Sequence, residues 1–88
     1  CDVSFIGLSK ALPVALALAA PSANLVALVK PQFEVGPERV RKGGLVTDPS
    51  ARAEALAGVA AFLEDAGWPV RASCESPITG GDGNVEFL

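Results

Sequence analysis

Three charged residues sit where an apolar chain has least reason to place them. Asp2 stands just before the run Val3-Ser4-Phe5-Ile6, Lys30 closes the run Leu25-Val26-Ala27-Leu28-Val29, and Glu86 lies between Val85 and Phe87. Charged groups at the ends of apolar runs are candidates for a ligand-binding or catalytic site. Ligands of parallel sheets bind beyond the carboxyl ends of the strands, and Lys30 occupies such an end. Asp2 precedes its run, so its claim by position is weaker. Glu86, between two apolar neighbours, needs a solvated face or a partner. The plain alternative for each is a strand-end charge that reaches water.

Other chemistries find little support. The chain has no histidine, which removes Ser-His-Asp and Cys-His catalysis and argues against zinc. Cys1 and Cys74 lie far apart and read as free thiols of a reducing compartment, hence a cytoplasmic protein. There is no G-x-G-x-x-G, P-loop, H-E-x-x-H or EF-hand spacing. Gly80-Gly81-Asp82-Gly83 has too few carboxylates for a calcium loop and reads as a hairpin turn, so no metal is expected. The net charge of −3 gives no electrostatic case for nucleic-acid binding by the whole surface. Only Arg39, Arg41 and Lys42 form a basic cluster. They could contact phosphate, or they are a solvated loop. Phe33 and Trp68 could stack on bases, although Trp68 reads better as the hydrophobic cap of a helix end.

The elements that must position these residues alternate in type. Residues 3–6 read as a strand ended by Gly7, and residues 9–20 as a helix whose regular part begins near Leu12 because of Pro13. Residues 25–29 form a continuous apolar run typical of a strand buried on both faces. A long connection, residues 31–47, carries Gly36, Pro37, Gly43 and Gly44, and such connections are usually functional or mobile. Asp48-Pro49 opens a second helix. Its apolar stripe is Leu56, Val59, Ala60 and Leu63, and Gly67 is placed to end it in the left-handed conformation. Residues 70–76 and 84–88 read as strands joined by the glycine turn, which is too short for a crossover and makes them antiparallel. The order β-α-β-loop-α-β-turn-β predicts an α/β fold, a mostly parallel sheet ending in an antiparallel hairpin. Residues 11–20, the longest apolar stretch, are too short to span a bilayer, and no membrane role is expected.

With 88 residues, half of them hydrophobic, the chain is rich in apolar residues for a small independent domain and suits a piece of a larger sheet protein. It also begins inside an apolar run. Both features lead us to expect residues 1–88 to be part of a larger domain. An exposed edge at the Val3 strand would then make the piece self-associate.

Four blocks carry a family resemblance. Asp2-Val3-Ser4-Phe5-Ile6, Leu28-Val29-Lys30-Pro31-Gln32-Phe33-Glu34, Gly43-Gly44-Leu45-Val46-Thr47-Asp48-Pro49, and Ser76-Pro77-Ile78-Thr79-Gly80 with Gly83-Asn84-Val85-Glu86-Phe87-Leu88 resemble TlyA-type, FtsJ-like 2′-O-methyltransferases of ribosomal RNA. They occur in family order and cover nearly the whole chain. The resemblance implies the C-terminal half of a Rossmann-like methyltransferase fold, S-adenosylmethionine as cofactor, and ribosomal RNA or a ribosomal subunit as partner. Such enzymes use a Lys-Asp-Lys-Glu tetrad. By motif, Asp2, Lys30 and Glu86 match its aspartate, second lysine and glutamate, and Asp2 also lies at the cofactor. The first lysine, the glycine-rich cofactor loop and the RNA-binding module would precede this segment. Members have also been described as haemolysins, so a non-catalytic or haemolysin-like protein retaining the fold is the competing reading.

Methyl transfer to a ribose hydroxyl needs in-line alignment, and much of the catalysis can be positioning. A lysine acts as base only when neutral, and nearby carboxylates favour its charged form. Lys30 therefore has two candidate roles: taking the hydroxyl proton, or staying charged and orienting the hydroxyl oxygen.

Overall fold

A computed structural model of the chain describes residues 1–19, 23–40, 43–81 and 83–88. The helix read over residues 9–20 is two pieces, α1 (Leu8–Ala11) and α2 (Pro13–Leu18). It begins at Leu8, earlier than Pro13 suggested, because Gly7 supplies an extended N-cap and the Leu8 N–H finds a side-chain acceptor, described below. Pro13 opens α2, where its missing N–H costs nothing. Leu12 joins the pieces in helical conformation, its N–H donating to Leu8 and its carbonyl accepting from Leu16, both at 2.9 Å.

The connection after Lys30 also has more structure than its composition suggested. Pro31 starts a short helix, α3 (Pro31–Glu34), and Pro37 starts a 3-10 turn, Pro37–Arg39. The helix α4 (Pro49–Asp65) is capped at both ends. The Asp48 side chain accepts from the Ser50 N–H at 3.0 Å, a cap worth about 1 kcal/mol. At the other end Gly67 takes φ +84. Gly67 donates to Glu64 and Trp68 to Leu63, the paired bonds of a Schellman motif with its apolar follower. Trp68 packs against the core, so it is a helix cap.

That core is built from Leu8, Leu12, Val29, Val59 and Leu63, flanked by Val3, Leu16, Leu25, Phe62 and Phe87. Helices α1 and α4 therefore cover one face of the extended segments. Those segments meet at single bridges: among the described residues there are paired positions but no regular strand. The Cys1 nitrogen donates to the Val26 carbonyl and the Leu28 N–H to the Cys1 carbonyl, the slanted pattern of a parallel pair. Val29 and Phe87 exchange both backbone bonds, at 2.7 and 2.9 Å, and so do Cys74 and Leu88, at 2.9 and 2.8 Å. Both Val29 and Glu75 pair antiparallel with Phe87, so the last segment lies between the segments of residues 25–29 and 70–76. No helix of the described residues is long and apolar enough to cross a membrane.

Candidate functional site

Asp2 and Lys30 meet. The Lys30 Nζ lies 2.7 Å from Asp2 Oδ1 and donates to the Ser4 hydroxyl at 3.1 Å. Lys30 reaches them from the end of its extended run, as N-cap of α3. Its side chain is 14% exposed, whereas that of Asp2 is 64% exposed. The ammonium is thus held from one side by a solvated carboxylate. An ammonium has three N–H bonds, so one remains for a further acceptor.

Lys30 and Glu86 line one open cleft of about 290 Å³, together with Ser4, Phe5, Gln32, Phe33, Val40, Gly44 and Gly81. Glu86 is buried, with 7% of its surface exposed, and among the described residues its carboxylate forms no ion pair. It lies against Gly80, where a Cβ would stand 2.5 Å from Glu86 Oε1. Strand alternation sets Glu86 opposite Val85 and Phe87, and the charged residue is the more buried one. The side-chain oxygen of Gln32, in the same cleft, is buried and has no hydrogen-bond partner among the described residues.

The mouth of the cleft is aromatic. Phe5 and Phe33 tilt against each other at 49° with ring centres 5.2 Å apart. Phe5 adopts φ +66 and leaves 89% of its surface exposed. A bulky residue in the left-handed region costs roughly 1–2 kcal/mol, and backbone strain of this kind gathers at functional sites.

Two polar ties fix the walls, and neither was visible in the sequence. The Glu34 carboxylate accepts from the Leu8 N–H at 2.8 Å, joining α3 to the start of α1. Burial raises the Glu34 carboxyl above the ordinary glutamate range, and the Leu8 bond only partly offsets this. Asn84, 2% exposed, accepts from the Val46 N–H at 2.8 Å and donates to the Gly44 carbonyl at 2.7 Å. Hydrophobic periodicity reports which faces are buried and is silent on such side-chain bonds.

Of the basic cluster, Arg39 is engaged elsewhere: its guanidinium pairs with Glu54 and lies 3.7 Å from Asp48. It staples the 3-10 turn to α4. Arg41 and Lys42 lie outside the described residues. Cys1 and Cys74 are free and exposed. Among the described residues no acidic or thiol cluster could hold a metal ion.

The fold is shared with a solved structure. A protein of Lactococcus lactis described as a hemolysin superposes with TM-score 0.94 at 40% identity, over 99% of this chain and 41% of that one. The sequence matches the FtsJ-like methyltransferase family over residues 1–88, and the chain belongs to that family. It is 49% identical over 87 residues to YqxC of Bacillus subtilis, described as an rRNA methyltransferase. It is 44% identical over 87 residues to TlyA of Mycobacterium tuberculosis, named a 16S/23S rRNA (cytidine-2′-O)-methyltransferase. Each alignment takes in 99% of this chain, which spans about a third of those relatives' length (31% and 32%).

Proposed function

We propose that this chain carries the acceptor-side half of the active centre of an S-adenosylmethionine-dependent 2′-O-methyltransferase acting on ribosomal RNA in the cytoplasm. One observation carries the reading: Lys30, paired with Asp2, lines one cleft with Glu86, and the three come from distant stretches of the chain. The parallel contacts of Cys1 with Val26 and Leu28 and the antiparallel bridge of Glu75 with Phe87 support the finer fold, a mostly parallel sheet closed by an antiparallel hairpin. The names of the relatives support the substrate.

The cleft is at the small end of ligand sites and suits a nucleoside. Its lining also fits the methyl-bearing end of the cofactor, because the buried carboxylate of Glu86 favours a cation nearby. When bound, S-adenosylmethionine supplies an electrophilic methyl on a positively charged sulfur. The grip on its adenosine, together with the first lysine of the tetrad, falls to residues outside 1–88. Within the cleft Asp2 and Ser4 orient the Lys30 ammonium, and its remaining N–H holds the ribose hydroxyl oxygen. Glu86 stands across the cleft as the carboxylate able to accept the hydroxyl proton. Phe5 and Phe33 offer a flat apolar surface on which the base of the target nucleotide rests. Of the two roles open to Lys30, the orienting cation matches the Asp2 contact better.

The test is Lys30→Ala in the intact protein, with radiolabelled methyl transfer to ribosomal RNA and cofactor binding measured side by side. Transfer should vanish while cofactor affinity stays within about twofold, since the lost contact is to the acceptor. Near-normal transfer would refute the assignment. Red-cell lysis by the purified protein without methyl transfer would favour the haemolysin reading.

A further inference from the structure

The buried amide of Asn84 has no part in the chemistry just described, yet both of its polar atoms are paired with backbone groups of one segment. Its oxygen takes the Val46 N–H and its nitrogen gives to the Gly44 carbonyl. Its own backbone carbonyl accepts from Gly80, whose carbonyl in turn accepts from Gly83. Asn84 therefore sits where three pieces join: the glycine turn, the segment bearing Glu86, and the end of the connection leading back to Arg39. Gly44 and Val40 on that connection, and Gly81 on the turn, line the cleft with Glu86. Arg52 Nε donates to the Val46 carbonyl at 3.0 Å, so Val46 is held at both polar groups. Gly44 takes φ +78 and is held by the Asn84 amide.

We propose that Asn84 is a positioning residue that sets the distance between the Gly44 wall and Glu86, and thereby how the ribose–phosphate strand of the RNA seats in the cleft. This rests on the methyltransferase reading above. The amide suits the task because it offers a donor and an acceptor at once, matching a carbonyl and an N–H of one backbone segment. Aspartate keeps the acceptor for the Val46 N–H but sets an oxygen against the Gly44 carbonyl, so it turns that one tie into a repulsion.

The experiment compares the intact protein with Asn84→Asp and Asn84→Ser. Steady-state methylation of ribosomal RNA is read as kcat and KM separately, alongside cofactor affinity and trypsin cleavage after Arg39, Arg41 and Lys42. Losing one such hydrogen bond loosens the wall by about fivefold in population. KM for RNA should therefore rise about fivefold or more, with kcat and cofactor affinity within about twofold, and cleavage of the connection should accelerate. Unchanged KM and cleavage would overturn the proposal. So would a proportional loss of cofactor affinity, or failure of both variants to fold, since either makes Asn84 a residue of general stability. If the parent transfers no methyl group to RNA, the functional reading fails, while the cleavage comparison still decides whether Asn84 holds the Gly44 wall.

Discussion

Lys30 and Asp2 approach to 2.7 Å although Asp2 remains largely in water. An ion pair with one solvated partner contributes little to stability, typically about 0–1 kcal/mol. Its value lies in where it holds the Lys30 nitrogen. Asp2→Asn should leave the urea midpoint nearly unchanged and lower methyl transfer by about a hundredfold, the usual cost of a small misplacement at a reacting centre. A variant that loses stability and rate together would mean that the pair is structural.

Gly80 offers a way to displace Glu86 without altering it. A methyl group at Gly80 would stand 2.5 Å from Glu86 Oε1 and 3.2 Å from its Cδ, and the far end of a side chain is what must yield. Gly80→Ala should cost stability about 1–3 kcal/mol while cutting the methylation rate at saturating RNA. Full activity in that variant would show that the carboxylate need not occupy its observed place.

Glu34 makes stability depend on pH in a definite direction. With its carboxyl raised by burial, the folded chain keeps a proton that the unfolded chain has already released. This contribution is fully present below the unfolded value and is lost as pH rises through the folded one. Glu34→Gln keeps an oxygen for the Leu8 N–H and cannot ionise. Urea titrations across this window should show the stability difference moving in favour of the glutamine variant as pH rises. Parallel curves would argue against an ionising Glu34.

Arg39 should contribute little to RNA affinity, because Glu54 and Asp48 already occupy its guanidinium. The slope of log affinity against log salt counts released counterions, about 0.7 per phosphate contact on single strands. Arg39→Ala should leave that slope unchanged. A decrease of about 0.7 would place Arg39 on a phosphate.

The helix α4 was legible because its signals are local: an aspartate and a proline at one end, a glycine at the other, apolar residues on one stripe. The antiparallel bridge of Glu75 with Phe87 was legible too, from the length of the glycine turn, whereas the pairing of Phe87 with Val29 was not. The start of α1 was misread because Pro13 was the strongest local mark, whereas the deciding contact comes from Glu34, distant in sequence. For the candidate site, three charged residues were readable as candidates, but the hydrogen bonds of Ser4 and Asn84 and the left-handed backbone of Phe5 were not. Each depends on which backbone group comes within reach after folding, and no spacing rule encodes that.

The central place of Phe87 bears on how the molecule is made. A ribosome releases Lys30 long before Phe87, yet among the described residues Val29 has its backbone bonds with Phe87. Until residues 84–88 emerge from the exit tunnel, the segment leading to Lys30 has an open side. The nascent chain must then admit a late arrival between two neighbours already in place. Such long-range closure is slow, and the pocket around Glu86 waits on it.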